Sequence, residues 1–244
     1  MKPMDEYYMA YENRYQKAYE AGIDHWGHEP GDEELASTLT RWVEENNLRG
    51  KRIIEFACGE GASGVILSRL GCIYTGIDIA PSAVKKSKEA LKAYPQAAVI
   101  ELDMVKQRLD EKYDAALDVM GFHMLVVDKD REAYLGNVLS CLKSGAPMIF
   151  FRQLYSHDAY EGNVDSFDSW KQISGSDYDT PQRRTAEVNG RDVEIYIPLI
   201  PGRTKTRNGY CQEFVKAGFC VDKFYIMDKS HHCPDSASIF VHKL

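Results

Sequence analysis

Residues 52–71 read RIIEFACGEGASGVILSRLG. An apolar run, RIIEFAC, gives way to glycines and then to GASGVILSRLG, a helical pattern closed by Gly71. Gly59, Gly61 and Gly64 match G-x-G-x-x-G. Glycines at such positions let the chain turn sharply from strand to helix and let a ligand approach the backbone. In open α/β sheets, ligands bind at the carboxyl ends of the strands, where the topology reverses. The pattern alone leaves three readings open: a pyrophosphate loop, a loop for another ligand, and a tight turn without one.

Outward from this stretch the alternation continues. CIYTGIDI (72–79) reads as a strand, and Pro81 opens a helix running through AVKKSKEALKAY (83–94). AAVIELD (97–103), YDAALDVM (113–120) and APMIFFR (146–152) read as further strands, with a helix in REAYLGNVLSCLKSG (131–145). Such alternation predicts βαβ units, hence a mostly parallel sheet with helices on both faces. Two helical patterns precede it, DEYYMAYENRYQKAYEAG (5–22) and DEELASTLTRWVEENNLRG (32–50). Beyond residue 152 the pattern breaks into polar loop sequence. Asn189-Gly190 then separates two strand-like runs, a hairpin signal. A helix in TRNGYCQEFVKAG (206–218) follows, and FCVDKFYIMD (219–228) and SASIFVHKL (236–244) are joined closely enough to force an antiparallel pair.

Three carboxylates discriminate between ligands. Glu55 lies within the first strand, where a carboxylate would repel a pyrophosphate and attract a cation. Asp78 ends the second strand, where it can accept both hydroxyls of a ribose, a feature that also suits NAD. Asp103 ends the third, where it can accept from an adenine amino group while Met104 packs on the ring. An NAD pattern explains only one of the three.

EFACGEGA, GIDIA, ELDM and YDAALDVMGFHML, followed by a helix and APMIFF, together resemble the class I S-adenosylmethionine-dependent methyltransferases. The resemblance covers roughly residues 50–152, and the final strand pair is similar to the family's last two strands. It implies a Rossmann-like three-layer sandwich: a mostly parallel seven-stranded sheet with an antiparallel last strand, an N-terminal helical lid and an inserted β-hairpin cap. One domain, 1–244, is expected, divided into a lid (1–49), a cofactor-binding core (50–152), a substrate-cap insert (153–205) and a last helix with the strand pair (206–244). The cofactor implied is S-adenosylmethionine. Its methionyl part would lie against Ala57, Cys58, Gly59 and Gly61, its ribose on Asp78 beside Ile79, and its adenine near Asp103 and Met104. Asp118 would lie close to the methionyl amino group.

His123 follows the fourth strand, where the family often has a histidine or other polar group facing the methyl; a neutral imidazole there could take a proton from the nucleophile. The alternative is a histidine that orders the loop. Tyr8, Tyr11, Tyr15 and Tyr19 recur at helical spacing, which burial of one helix face explains. In a lid, Tyr11, Tyr15 and Trp26 would instead face the cofactor and substrate, where aromatic faces favour a sulfonium. His231, His232 and Cys233 make poor geometry for one ion, so a turn is expected and no metal. Arg183, Arg184, Arg203, Lys205 and Arg207 make the insert locally basic, able to attract a carboxylate or phosphate or simply to be solvated.

Bulk properties narrow the setting. The 244 residues suffice for one well-buried α/β domain. A net charge of -7 argues against general affinity for nucleic acid or anionic membrane. The absence of a long apolar run and of a signal-peptide core predicts a cytoplasmic protein with no membrane span. Six scattered cysteines without a C-x-x-C pair predict reduced thiols. The expected activity is methyl transfer to an oxygen, nitrogen, sulfur or carbon nucleophile on a small-molecule acceptor, by a monomer or homodimer. An NAD(P)-dependent oxidoreductase and a non-catalytic S-adenosylmethionine-binding module are the competing readings.

Overall fold

A computed structural model describes residues 6–188, 191–229 and 235–244. The Asn189-Gly190 turn and the run His231, His232, Cys233 lie outside the described residues. A short 3-10 turn at Tyr7–Met9 leads into α1 (Ala10–Glu20), and α2 (Glu33–Glu45) follows. Asp32 starts α2 by accepting from Leu35 N at 3.0 Å. Three parallel strands then come with two crossover helices: β1 (Arg52–Phe56), α3 (Ala62–Arg69), β2 (Ile73–Asp78), α4 (Pro81–Ala90) and β3 (Ala97–Glu101). A second half consists of β4 (Ala115–Val119), α5 (Asp128–Cys141) and β5 (Pro147–Leu154).

The segment after β5 contains α6 (Phe167–Ser174), which the sequence reading takes as loop. Ser166 and Ser169 form a reciprocal capping box at its start, and Gly175, in the left-handed region, ends it. The paired strands β6 (Gln182–Val188) and β7 (Arg191–Ile197) follow, then α7 (Arg207–Ala217), β8 (Phe219–Met227) and β9 (Ser236–Lys243).

Seven strands form one sheet in the order β3-β2-β1-β4-β5-β9-β8. All neighbouring pairs from β3 to β5 are parallel; β9 runs antiparallel to both β5 and β8. The antiparallel last strand is thus inserted between β5 and the edge strand β8. Sequence order reverses between β1 and β4, so the connections that leave their carboxyl ends diverge, the place where such sheets bind ligands.

Alternating side chains of each central strand feed two cores. Ile54, Phe56, Ala116 and Phe150 pack with Tyr134, Phe122 and Phe214 on the α5–α7 face. Ile53, Leu117, Ile149 and Phe151 pack with Leu39, Trp42 and Leu67 on the α2–α3 face. Each such aliphatic or aromatic side chain, fully buried, contributes about 1.5–3 kcal/mol relative to exposure. Covering on both faces explains why the central strands read as continuous apolar runs. The β6–β7 pair lies against the N-terminal segment, with Ile195 and Ile197 packed on Ala18 and Ile23. Helix α1 is held between α4 and β7, and therefore crosses the carboxyl end of the sheet.

Candidate active site

The glycine loop is built as the sequence requires. Gly61 has φ +88 at the start of α3, a conformation that strains any side chain. Gly64 lies inside α3 against β2: a Cβ there would stand 2.5 Å from the Tyr74 ring, so this glycine sets the helix–strand spacing. Non-glycine residues in the left-handed region cluster here too. Ala57 (φ 53), Met120 (φ 59) and Arg152 (φ 53) lie at or beyond the carboxyl ends of the adjacent strands β1, β4 and β5. Strain of this kind, costing about 1–3 kcal/mol per residue, concentrates where structure is held for function.

Glu55 does not present a charge to this crevice. It is 1% exposed beneath the loop, where the Tyr74 hydroxyl and the Ser63 hydroxyl donate to it. Burial pushes its carboxyl up to about 8, against those donors, so at neutral pH most of it carries a proton. Glu55, expected to meet a cation as a carboxylate, thus lies buried beneath the loop with its proton affinity raised. Cys58 is buried as well, its backbone N donating to Ile77 O at 2.9 Å.

Asp78 is oriented by the loop it faces. Its carboxylate accepts from Gly59 N at 2.8 Å and Ala80 N at 2.9 Å, which leaves lone pairs for further donors. Asp103 accepts from Val105 N (2.9 Å) and Lys106 N (3.2 Å), and Tyr8 Oη donates to its other oxygen at 3.2 Å. Tyr8 thus approaches from the N-terminal segment at the carboxylate expected to meet an adenine amino group. Ile79 and Met104 flank the same apolar cluster, half-buried. Asp118 lies deeper. It is 0% exposed, and accepts from Gly121 N (2.8 Å), Phe122 N (3.0 Å), Gln153 Nε2 (2.8 Å) and Tyr134 Oη (2.6 Å). With both oxygens engaged inside the protein, it organises the loop after β4.

That loop carries His123. A register shift between Phe150 and Gln153 bulges β5, with Arg152 in the left-handed region and anchored to Glu34 at 2.5 Å. The bulge re-aims the buried Gln153 toward β4. Because Gln153 Nε2 donates to Asp118, its Oε1 faces His123 and accepts from the backbone N (2.9 Å) and from Nδ1 (3.1 Å). A carbonyl oxygen only accepts, so Nδ1 carries the proton and Nε2 keeps its lone pair. Burial lowers the imidazole to about 4 despite the Gln153 bond, leaving it neutral across the physiological range. Arg131, 0% exposed, fixes the loop from behind by donating to Phe122 O and Leu125 O while its other edge grips Glu213 with two 2.7 Å bonds. Gln153 and Arg131 were not singled out in the sequence; a polar residue ending an apolar strand run was the available signal for the first.

Glu60, between the glycines, ties the N-terminal segment to the loop. It accepts from Tyr19 Oη (2.7 Å), Trp26 N (2.8 Å), Gly27 N (2.9 Å) and His25 Nδ1. Burial alone would raise its carboxyl, yet these donors outweigh it and hold the group at about 2. The same contact raises His25. Tyr15 lies over the loop, its hydroxyl 3.1 Å from where a Gly59 Cβ would stand. Tyr11 Oη donates to Pro201 O at 3.2 Å, and Trp26 sits under the Arg14 guanidinium, 4.8 Å from its carbon. Glu12 reaches α4, accepting from Ser82 N (3.0 Å) and Oγ (2.6 Å). His28 donates from Nδ1 to Asp32 at 2.6 Å, which leaves its buried Nε2 without a partner.

The basic insert divides. Arg203 and Lys205 are buried and paired with Asp128 and Glu161, and so they are structural. Arg183 pairs with Glu194 at 3.2 Å, Arg184 is exposed, and Arg207 lies over the Phe224 ring. Cys58, Cys72, Cys141, Cys211 and Cys220 are free thiols. Among the described residues one group with metal-ligand atoms in mutual reach occurs, Cys220, Asp222 and His242 on β8 and β9, far along the sheet from the glycine loop. No described helix is long and apolar enough to cross a membrane.

A sequence model of the family described as "Methyltransferase domain" matches residues 53–145. Curated relatives include ribosomal protein L11 methyltransferases, from Photorhabdus laumondii (35% identical over 60 residues, 24% of this chain and 20% of that one) and Pectobacterium atrosepticum (30% over 96 residues, 39% and 32%). The chain therefore spans between a fifth and a third of the length of these relatives. Solved structures with the same fold include 1,6-didemethyltoxoflavin-N1-methyltransferase from Burkholderia thailandensis (TM-score 0.66, 13% identical, covering 100% of this chain and 91% of that one). Another is magnesium protoporphyrin IX methyltransferase from Synechocystis (0.64, 12%, 100% of both chains). The glycine loop, the acidic end of β2 and the strand order agree with these likenesses: residues 53–145 match the methyltransferase-domain family, on the fold of the class I S-adenosylmethionine-dependent methyltransferases.

Proposed function

We propose that the protein transfers the methyl group of S-adenosylmethionine to a nucleophile on a small molecule. The observation that carries this reading is the cover over the crevice: α1 passes over Gly59 and reaches Pro201, with β7 packed against it. An acceptor that must reach the site under such a cover is a compact one.

The residues suit the cofactor. Asp78 retains acceptor capacity for two ribose hydroxyls, and Ile79 and Met104 offer an apolar wall. When bound, the cofactor supplies an electrophilic methyl carbon whose bond to sulfur breaks as the nucleophile's lone pair bonds to it. His123 Nε2 accepts the hydrogen bond, and then the proton, of that nucleophile. Gln153 and Asp118 hold the imidazole in the tautomer this requires. Tyr11, Tyr15 and the segment to Trp26 act as the lid, excluding water and aligning the acceptor. The segments 1–49, 50–152, 153–205 and 206–244 then act as lid, cofactor core, cap and closing strand pair of one domain. We take the protein to act as a monomer or homodimer in the cytoplasm, apart from nucleic acid and membrane.

A protein acceptor is the second reading, favoured by the likeness to ribosomal protein L11 methyltransferases. The two separate in one experiment. The protein is incubated with methyl-labelled S-adenosylmethionine and either the low-molecular-mass or the macromolecular fraction of a cell extract. Label entering small molecules supports the proposal, and label confined to protein overturns it.

A further inference from the structure

We propose that Arg14 is an oxyanion-binding residue of the acceptor site, so that the methyl acceptor carries a carboxylate or a phosphate. The proposal rests on the methyl-transfer reading only for the word acceptor; the anion site stands on its own observations.

Helix α1 carries Arg14 on the side facing the β6–β7 pair. Its Nε is shielded from solvent and has no hydrogen-bond partner, and the guanidinium has no ion pair among the described residues. Arg14 is half-buried. The three fully buried arginines each have a carboxylate partner: Arg131 grips Glu213, Arg152 grips Glu34, and Arg203, whose Nε is also without a hydrogen-bond partner, meets Asp128 through its Nη. Desolvating a guanidinium without a counter-charge is unfavourable. At Arg14 the exposed Arg184 adds a like charge instead of relieving the cost. An arrangement that keeps such a cation fits a site whose counter-charge arrives with a ligand.

Its location gives the ligand a role. Tyr11, three residues before Arg14 and hence on the neighbouring turn, donates to Pro201 O. The next residue, Gly202, lies against the imidazole of His123, 3.7 Å from Cδ2 to an ideal Cβ. Gly202, Pro201 and Tyr11 thus link the imidazole to the helix turn that carries the guanidinium. Stacking on Trp26 fixes the plane of the fork. Nε–H and the adjacent Nη–H are parallel donors that match two oxygens of a carboxylate or phosphate.

Calorimetric titration of the purified protein with benzoate, phenyl phosphate and benzamide, with and without S-adenosylhomocysteine, tests this. The wild type is expected to bind benzoate or phenyl phosphate at least tenfold more tightly than benzamide. The tighter of the two anions identifies the group. Arg14→Met should abolish the discrimination while binding S-adenosylhomocysteine as the wild type does, and Arg14→Lys should restore part of it. Equal binding of the three probes, binding of none, or discrimination unchanged in Arg14→Met overturns the proposal. Failure of the wild type to bind S-adenosylhomocysteine overturns the cofactor reading instead, and the titrations without it still decide the anion site.

Discussion

At the scale of single residues, the carboxylates divide by what remains for a ligand to use. Asp78 spends its oxygens on two loop amides and keeps lone pairs, whereas Asp118 has both oxygens engaged and Glu55 is protonated under the loop. Asp78→Ala should therefore weaken S-adenosylmethionine binding by on the order of 1–3 kcal/mol, as for hydrogen bonds to a charged group. Calorimetry checks it, and unchanged affinity removes the ribose assignment. The position of Asp78 beside the glycine loop was legible because it ends a strand there. The engagement of Asp118 was not, since Tyr134 and Gln153 reach it from elements 16 and 35 residues away. His123 gives the second prediction. Burial lowers its imidazole to about 4, so the base form persists well below the ordinary histidine range. The rate should stay level from neutral pH downward until the pH approaches that value, with no limb near 6.5. His123→Ala should bind cofactor normally and lose roughly 10²–10⁴ in rate, the usual contribution of a positioned base. Full turnover in that variant would leave alignment as the source of catalysis.

Among elements, the N-terminal segment shows how far periodicity reaches. The tyrosines at helical spacing announced α1, and an apolar run after a turn announced each strand of the parallel half. Periodicity did not disclose what holds α1 in place. Glu60, between the first two glycines of the motif, is the anchor, and α6 was missed because its capping box uses two serines in a polar stretch. If Glu60 tethers the lid, Glu60→Ala should speed hydrogen exchange across residues 10–27 while leaving the β1–β5 amides protected. Acid should act in the same way. The Glu60 carboxyl is held at about 2 in the fold, so its stabilisation is complete above its ordinary value near 4.5 and is lost as pH falls toward 2. His25 works from the other side: with its affinity for a proton raised by Glu60, its contribution is present below the ordinary histidine value and fades as pH rises through the raised one. Protection factors in this segment, corrected for the intrinsic pH dependence of exchange, should be highest at mildly acidic pH. Protection factors flat from pH 3 to 9 would leave the segment as ordinary packing.

For the whole molecule, the doubly wound core was legible because each βα unit repeats the same local signals, and one reversed strand follows from a short connection. That connection predicts an antiparallel pair but not its position. Placement of β9 between β5 and β8 depends on pairing across nearly a hundred residues, such as Phe150 with Ile239. The depth of the sheet has an energetic consequence that local patterns also hide. Glu55 lies in the central strand between two cores, and its carboxyl is pushed up to about 8 from an ordinary value near 4.5. The folded protein therefore keeps a proton that the unfolded chain releases, and stability falls as pH rises from about 4.5 through 8. His123 acts in the opposite direction: with a folded value near 4, its penalty is full below that pH and gone above about 6.5. Between about 6.5 and 8 Glu55 is still titrating and His123 is not. Glu55→Gln removes the titration while leaving an oxygen to accept from Tyr74 and Ser63. The difference in unfolding free energy between variant and wild type, from urea titrations at several pH values, should therefore move in favour of the variant as pH rises and level off above about 8. Parallel losses of stability by both proteins across that range would mean that Glu55 is charged in the fold, and that a carboxylate does stand under the glycine loop.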